Sequence, residues 1–499
     1  MSHSSFRAFV DAIEKSGELL RISQPVATEL QMTELADREM KSPGGGRALL
    51  FEKPTIDGRP SAFPVALNTM GSRSRMALAL GLESVDELAD QMQFILKAKP
   101  PRTFKEAIKL VREGFDLIHA RPRYVREGAC QEVVHRLEDG RDAAFSLDDL
   151  PILKCWPDDG GRFVTLPTVY TKDPDTGDRN VGMYRMQVYD GRTTGMHWQV
   201  HKVGARHGKR YYERGERMPV AVALGGDPAY TFAATAPLPD GLDEILFAGF
   251  ARKKSAELVK CATIDIEVPA DSDFVLEGYV QPGETRAEGP FGDHTGFYTA
   301  VDDYPVFHLT AITHRKNAIY PATIVGIPPM EDFYIGAASV RIFLPVFKMN
   351  FPEILDMALP AEGVFHNLVF VSIKKQYALQ AYKVMHGLWG MGQMMFAKYI
   401  VVVDDDCDVH NTSEVLFRMC ANTDPQRDTT FVKNPSDSLD HAPTIAGLGT
   451  HMGFDATRKL PSEGYSRGWP ELVKMPAEVR AWADDFLEKL SASANTDRR

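Results

Sequence analysis

Residues 274–312 read FVLEGYVQPGETRAEGPFGDHTGFYTAVDDYPVFHLTAI, two apolar runs on either side of a segment rich in Gly, Pro and acidic residues. The runs at 274–280 and 306–312, like a third at 220–224, have the length and the β-branched and aromatic content typical of strands. Gly, Pro and Asp separate such runs at close spacing from about residue 130 to residue 320. This punctuation favours an open barrel or a sandwich over a parallel sheet.

The regions on either side of this β-rich block have the pattern of α/β structure. Towards the N-terminus, apolar residues recur at helical spacing over 6–13, and a short apolar strand is predicted at 48–51. Beyond residue 321, buried strands are predicted at 366–374 and 399–403, with a helix at 377–389 between them. A last amphipathic helix follows, with its apolar face formed by Val479, Trp482, Phe486 and Leu490.

The composition is that of a soluble globular protein, because 44% of the 499 residues are hydrophobic and 25% are charged. A net charge of −11 argues against nucleic acid as the main partner. The longest apolar runs fall far short of the roughly 20 residues that a membrane span needs, and no secretion signal opens the sequence. The five cysteines are dispersed without a C-x-x-C pair, which argues against a disulfide framework and favours a cytoplasmic location.

The most unusual segment is ETRAEGPFGDHTG at 284–296, in which Glu288 and Asp293 flank a Gly-Pro-Phe-Gly turn. The turn folds the backbone tightly and is expected to bring the two carboxylates together. Because neighbouring carboxylates raise each other's pKa, we expect an acid that still carries a proton near neutral pH. Taken alone, the pair is also explained by a solvated turn between two strands.

Three further residues are candidates for chemistry. Arg185 lies between apolar neighbours, where an unpaired guanidinium is costly to bury, so it requires a carboxylate from Glu288, Asp293 or a substrate. His201 is a candidate metal ligand, although a single His is more often a hydrogen-bonded core or surface residue. Glu244, in a predicted helix at 242–253, is either an oxygen ligand for a cation that holds a phosphate or a compensation of the helix dipole.

Several common motifs are missing. The sequence has no G-x-G-x-x-G, no P-loop and no H-E-x-x-H, which argues against a nicotinamide dehydrogenase, a P-loop nucleotidase and a zincin. The acid run DDDCD at 404–408 resembles a magnesium site at the end of a strand. Because no phosphate-binding loop accompanies this run, we favour a structural role in a capped loop.

Taken together, several segments closely resemble the UbiD family of prenylated-FMN-dependent decarboxylases, and the likeness spans nearly the whole chain. The stretches that carry it are CWP at 155–157, ELVKC at 257–261, EGPFGDHTG at 288–296, KKQYA at 374–378 and GFDATRK at 453–459. The chain is most similar to the branch named for 4-hydroxy-3-polyprenylbenzoate decarboxylase of ubiquinone biosynthesis. Enzymes of this family remove CO2 from aromatic, heteroaromatic or α,β-unsaturated acids.

The resemblance implies an α+β multidomain protein in which a central flavin-binding split β-barrel is flanked by N-terminal and C-terminal α/β domains. We assign the N-terminal domain to residues 1–110, the barrel to 111–322, the C-terminal domain to 323–460, and a C-terminal helix and tail to 461–499. The family also implies a homo-oligomer, either a dimer or a hexamer.

The resemblance further implies that Arg185, Glu288 and Asp293 are the catalytic residues. Arg185 would orient the substrate carboxylate, and Glu288 would hold Arg185 in place. Asp293 would return a proton to the carbon after CO2 leaves, which requires a raised pKa in a desolvated pocket.

Cofactor and metal ligands are likewise implied by the resemblance. Asn180, His201 and Glu244 match the ligands of a divalent cation, usually Mn2+, that clamps the cofactor phosphate. A K+ ion is a further candidate near residues 233–236, although Ala233, Ala234 and Ala236 stand where relatives often carry Ser or Met. Lys202 and Lys398 are the candidates for the phosphate-binding lysine. The full set implied to bind prenylated FMN is Asn180, Met183, Tyr184, Arg185, His201, Lys202, Ala234, Thr235, Ala236, Pro237 and Glu244.

The implied reaction is non-oxidative decarboxylation of an aromatic acid, first of all a 4-hydroxy-3-polyprenylbenzoate, through a covalent adduct with prenylated FMN supplied by a flavin prenyltransferase. An electron sink is required because side chains cannot accept the electron pair left by CO2. A lipid-like substrate would allow at most peripheral membrane association. Four Met residues within 385–395 suit a pocket for a prenyl tail or a plain core.

Other functions remain open at this point. The substrate could instead be a menaquinone-pathway naphthoate or a small phenolic or heteroaromatic acid, and the same chemistry could run as carboxylation. In a different class, the chain could be a non-catalytic flavin-binding or assembly subunit. The presence of Arg185, Glu288 and Asp293 together argues against that last interpretation.

Overall fold

The computed structural model describes residues 2–97, 120–137, 145–198, 203–238 and 241–496. Within these residues, no helix is both long enough and apolar enough to cross a membrane. All five cysteines are free thiols, as predicted, and four of them are buried.

The central region is a curled sheet of nine strands in which all paired neighbours are antiparallel. Across the sheet the strands are Phe163–Val164, Met186–Asp190, Thr193–Gly195, Asp302–His314, Phe274–Glu288, Met218–Leu224, Thr168–Lys172 and Arg179–Gly182, and Val133–Arg136 also pairs with Asp302–His314. In the described part of the chain the two outermost strands do not pair with each other. The predicted open barrel is thereby confirmed.

The two longest strands of this sheet, Phe274–Glu288 and Asp302–His314, form one hairpin. Their register is irregular beyond Val280 and resumes from Thr285, so that Glu288 pairs with Asp302 next to the connecting turn. The connection between them folds into a small ribbon in which Phe291–Gly292 pairs with Tyr298–Thr299. The hairpin end therefore presents Glu288 and the residues of the turn at one place.

Smaller elements surround the central sheet. A three-stranded sheet consists of Arg123–Val125, Glu257–Lys260 and Glu267–Pro269. The helices are Val203–Arg214, Pro228–Ala233 and Glu244–Ala251. The last of these confirms the helix predicted at 242–253, and it begins at Glu244 because the Asp243 carboxylate accepts a hydrogen bond from the Ile245 amide.

The N-terminal region contains a five-stranded sheet built from Leu19–Ala27, Ala48–Ile56, Arg59–Pro60, Val65–Leu67 and Tyr320–Pro321. Its helices are Phe6–Lys15, Gln31–Met40, Arg73–Ala79 and Asp86–Lys97. The first helix buries Phe6, Phe9, Val10 and Ile13, as the apolar spacing predicted. Because residues 320–321 complete this sheet, the N-terminal and central regions are joined by backbone pairing, and the assigned domain limits stay predictions.

The C-terminal region alternates helices and strands as predicted. After the helix Glu331–Asn350, a mixed sheet has the strand order Ile354–Ala358, Leu368–Ile373, Tyr399–Asp404, Leu448–Asp455 and Thr429–Pro435. The remaining helices are Gln380–Trp389, Thr412–Asn422 and Ala477–Thr496. Arg458 forms ion pairs with the acid run at 404–406, which agrees with the structural role favoured for that run.

Candidate active site

Arg185, Glu288 and Asp293 come together in the structure, as the sequence predicted. Arg185 lies between the strands Arg179–Gly182 and Met186–Asp190, and Glu288 ends the long strand of the hairpin. The Arg185 Nε donates to Glu288 Oε1 at 2.9 Å, and a terminal nitrogen donates to Asp293 Oδ2. The other terminal nitrogen donates to the Thr299 hydroxyl at 3.2 Å. The Arg185 side chain is 10% exposed, and its guanidinium carbon lies 4.6 Å above the Phe291 ring, so the cation is largely shielded from solvent.

The turn that brings the carboxylates together depends on close backbone packing. A Cβ on Gly292 would lie 2.2 Å from Trp156 Cδ1, so only Gly leaves room for the indole. The Gly292 amide donates to Asp159 Oδ1, while Asp159 Oδ2 accepts from the amides of Cys155 and Trp156. The CWP segment at 155–157 therefore holds the turn in place, a link that its sequence gave no reason to predict.

His197 also belongs to this site, although the sequence analysis did not identify it. Its Nδ1 lies 2.9 Å from Glu288 Oε1, and its ring lies 4.2 Å from the Tyr304 ring. Two buried atoms of this pair, Glu288 Oε2 and His197 Nε2, have no hydrogen-bond partner among the described residues. The only signal in the sequence was a second His four residues before His201.

The carboxylate of Asp293 is held by a different histidine. Oδ1 of Asp293 accepts from both the backbone amide and Nδ1 of His294, each at 2.7 Å. His294 in turn places its Nε2 3.0 Å from Nε2 of His366, which belongs to the C-terminal region. His294 lies inside the motif singled out above, but nothing in the sequence indicated that His366 would meet it.

The predicted direction of the Asp293 pKa is wrong for this structure. Burial alone would raise the pKa of Asp293, but the hydrogen bond and charge of His294, with the Arg185 guanidinium, hold it well below its ordinary value. The two carboxylates do not raise each other's pKa here, because His294 and Arg185 both bond to Asp293 and Arg185 lies between the two acids. Asp293 is therefore a carboxylate in this state.

The described part of the predicted cation site lies at the short strand Arg179–Gly182, which contains Asn180 and bonds to Glu244. Asn180 is buried, and its Nδ2 has no hydrogen-bond partner among the described residues. Glu244 Oε2 accepts from the Val181 amide at 3.0 Å, and burial raises the pKa of Glu244 to about 7. Burial raises the pKa of Tyr184, and the neighbouring Asn180 side chain opposes this shift.

His201 and Lys202, the other residues of this set, lie outside the described residues, and their roles stay predictions. Within the described ranges, no three His, Cys, Asp or Glu side chains form a group that could hold a metal. Lys398, the other lysine candidate, forms an ion pair with Asp440 at 2.6 Å in the C-terminal region.

The remaining cofactor candidates follow the short helix Pro228–Ala233. Met183, Ala234 and Ala236 are half-buried and pack against the same hydrophobic core. The Thr235 hydroxyl donates to the Phe232 carbonyl at 2.7 Å, and Pro237 is exposed. Their contact with a flavin stays a prediction.

Comparisons with known proteins cover most of the chain. Family models for the N-terminal, Rift-related and C-terminal domains of 3-octaprenyl-4-hydroxybenzoate carboxy-lyase, UbiD, match residues 10–95, 123–328 and 333–456. An uncharacterized protein of Archaeoglobus fulgidus is 49% identical over 98% of this chain and 99% of its own length.

Solved structures give the same result. Vanillic acid decarboxylase of Sedimentibacter hydroxybenzoicus, in its closed form, superposes with a TM-score of 0.82 and 26% identity, over 98% of this chain and 99% of that one. The UbiD-class enzyme HmfF of Pelotomaculum thermopropionicum, in complex with FMN, gives a TM-score of 0.78 and 25% identity, over 95% and 97% of the two chains. With its three regions matched in order and its architecture shared, the chain belongs to the UbiD family of carboxy-lyases.

Proposed function

We propose that this protein removes CO2 from an aromatic carboxylic acid in a non-oxidative reaction that uses prenylated FMN. The observation that carries the proposal is the largely buried Arg185 held between Glu288 and Asp293, in a chain whose residues 10–95, 123–328 and 333–456 match the UbiD family. Burial of charged groups costs free energy even when the charges are paired. A non-catalytic flavin-binding subunit would have no need to bury a guanidinium between two carboxylates.

Each member of this trio has a distinct role in the proposal. Arg185 orients the substrate carboxylate through charge-assisted hydrogen bonds, and Glu288 keeps the guanidinium plane fixed through Nε. Asp293 delivers a proton to the carbon that loses CO2. Since Asp293 is ionised without substrate, it must receive that proton during the cycle.

The residues around Asn180 fit a cofactor phosphate held by a cation. Asn180 is buried and Glu244 is half-buried, and both carry side-chain oxygens of the kind that a hard cation prefers. With His201, they would bind Mn2+ or a similar ion. Bound there, prenylated FMN supplies the electron sink that the side chains lack.

For the substrate we propose a 4-hydroxybenzoate, first of all a 3-polyprenyl derivative made in ubiquinone biosynthesis. One observation argues against a substrate with a long prenyl tail. Met385 and Met394 are buried in the core of the C-terminal region and Met391 packs against the same core, so these residues do not line a pocket for the tail. A small phenolic acid is the second candidate, because the solved relative from Sedimentibacter acts on vanillic acid. The menaquinone-pathway naphthoate has no specific observation in its favour.

We also propose that the protein functions as a homo-oligomer supplied with cofactor by a flavin prenyltransferase. The last helix, Ala477–Thr496, exposes Trp482, Phe486, Leu487 and Leu490 on its surface. Exposed apolar clusters of this kind are typical of protein contacts. A second copy of the chain is the occupant we propose for this helix, and the protomer number, two or six, can be measured by light scattering.

The test is to purify the protein after co-expression with a flavin prenyltransferase and to record its ultraviolet–visible spectrum and the mass of the released cofactor. We expect a flavin with the extra prenyl ring, and then CO2 release from vanillic acid or from prenylated 4-hydroxybenzoates of increasing tail length. Ordinary FMN, or no flavin, in folded and metal-loaded protein would contradict the proposal and favour a non-catalytic subunit.

A further inference from the structure

His294 donates to Asp293 from two atoms and leaves its remaining ring nitrogen for His366. Because Nδ1 and the backbone amide both bond to Oδ1, the imidazole is fixed with a hydrogen on Nδ1. The two Nε2 atoms of His294 and His366 lie 3.0 Å apart, and a bond between them requires a hydrogen on only one of the two. If that hydrogen is on His294, the ring is an imidazolium whose Nδ1 proton points at Asp293.

The charges around this pair favour that arrangement. Burial disfavours the His294 cation, yet the bond and charge of Asp293, with the charges of Asp332 and Asp437, raise the pKa of His294 above its ordinary value. Burial and the charge of His294 lower the pKa of His366 to about 4, so His366 is neutral and can accept. The other charged groups that face the pair are Arg185 beyond Asp293, and Asp440 with its partner Lys398.

His366 reaches His294 from a strained loop of the C-terminal region. Val364 and Phe365 have φ angles of +54° and +45°, a conformation that a β-branched or bulky side chain rarely adopts. The Phe365 ring lies 5.3 Å from the His294 ring, and a Cβ on Gly336 would come 3.3 Å from Phe365. Backbone strain of this kind is common at functional sites, and here it lies in the loop that presents His366 to the active site.

Decarboxylation requires a proton, which the contact between His294 and Asp293 can supply. The reaction replaces CO2 by hydrogen and consumes one proton in each turnover, but Asp293 is ionised before substrate arrives. When a substrate carboxylate binds Arg185, it weakens the interaction of the guanidinium with the Asp293 carboxylate and adds a negative charge nearby. Both effects favour proton transfer to Asp293 from His294 Nδ1, the hydrogen-bonded donor with a proton that it can release, since a guanidinium or a backbone amide keeps its own.

We propose that His294 is the proton source for Asp293 and that His366, from the C-terminal region, positions His294 for this role; the inference rests on the function proposed above. The Nδ1–H bond of His294 breaks and an O–H bond forms on Asp293, which leaves a neutral imidazole. As the C–CO2 bond breaks, its electron pair stays with the substrate carbon, and Asp293 then gives its proton to that carbon. His294, with 15% of its side chain exposed, regains a proton from solvent.

The first test reads the protonation of His294 and needs no substrate. Nitrogen-15 NMR of protein labelled in its 14 histidines, with His294→Gln used for assignment, should show both ring nitrogens of His294 protonated at pH 7. His366→Leu should lower the midpoint of that titration by about one pH unit, the size of one charge-assisted hydrogen bond. A neutral His294 in the native protein, or a titration unaffected by His366→Leu, would overturn the proposal.

The second test measures CO2 release from vanillic acid against pH in cofactor-loaded protein. His294→Gln should reduce turnover about 100-fold and remove the loss of rate that the native protein shows as pH rises and His294 loses its proton. His366→Leu should move that loss to lower pH, and His366→Gln, which keeps an acceptor, should restore part of the shift. A lower rate with an unchanged pH profile would show a merely structural role and contradict the proposal.

His441→Gln is the matched control, because His441 is a second histidine of the C-terminal region that contacts the hairpin, at 4.2 Å from the Phe297 ring. It should leave the pH profile unchanged. Failure of the native protein to bind prenylated FMN would count against the proposed function alone, since the NMR titration still decides whether His294 carries the proton.

Discussion

The two sides of Arg185 look alike in composition but differ in their surroundings. On one side is Glu288 with His197, and on the other is Asp293 with His294, so each carboxylate has its own imidazole. Glu288 and His197 both belong to the central region, and each keeps one buried atom without a hydrogen-bond partner among the described residues. Both oxygens of Asp293 accept hydrogen bonds, and its histidine continues to the C-terminal region through His366.

This difference separates a binding role from a proton-transfer role. A buried acceptor without a donor costs about 1–3 kcal/mol, which a bound ligand with a donor at Glu288 would recover. The Asp293 side is already saturated by donors, so what changes there during a cycle is the position of a proton. We therefore expect substitutions on the two sides to affect different steps.

The largest effect is expected for Asp293→Asn. Asn keeps the shape of the side chain and can still accept from His294, but it cannot carry a proton, so turnover should fall by about 10³-fold or more. The spectrum of bound prenylated FMN should stay as in the native protein. Turnover within tenfold of the native value would remove Asp293 from the role of acid.

Glu288→Gln is the matched comparison, because it removes the same charge from the other side of Arg185. Gln can still accept from Nε, so the guanidinium is held less firmly but no proton source is lost. We expect turnover to fall by about 10²-fold, less than for Asp293→Asn, with an unchanged pH profile. If the two variants lose the same activity and change the pH profile alike, the two carboxylates do not have separate roles.

A smaller effect is expected for Gly292→Ala, which perturbs the turn on the Asp293 side alone. The added methyl group would meet Trp156 at 2.2 Å, and overpacking of this kind costs about 1–3 kcal/mol. The melting temperature should fall and activity with it, because Asp293 is the next residue. Gly468→Ala, with no atom within 4 Å of the added group, should leave both unchanged, and an equal loss in that control would contradict the explanation.

What could be predicted from the sequence depends on the distance along the chain over which each sequence pattern acts. The central strands and the helix at Glu244–Ala251 were predictable because apolar spacing and caps are local. Arg185, Glu288 and Asp293 were found because a buried cation demands a partner and the turn between the carboxylates is short. The family likeness made the same assignment from several segments at once.

The rest depends on contacts that no local pattern records. Glu288 meets His197 from 91 residues away, and His294 meets His366 from 72 residues away. The pKa of Asp293 was predicted in the wrong direction for another reason, since the prediction considered only the two carboxylates and left out the effects of His294 and Arg185 on Asp293. The completion of the N-terminal sheet by Tyr320–Pro321 is a third contact of this kind.

The loop that carries His366 has a consequence for recombination between relatives. If the central region of one family member were joined to the C-terminal region of another, each part could fold and the junction in Glu331–Asn350 could be seamless. Such a hybrid would still lack a matched loop at 364–366 if the donor of the C-terminal region had evolved a different hydrogen-bond partner for the turn. The function of the acid Asp293 therefore depends on two segments of the chain, the turn that contains it and the loop at 364–366. Transfer of the matching loop, with the domain boundary unchanged, should restore turnover to hybrids that fold but are inactive.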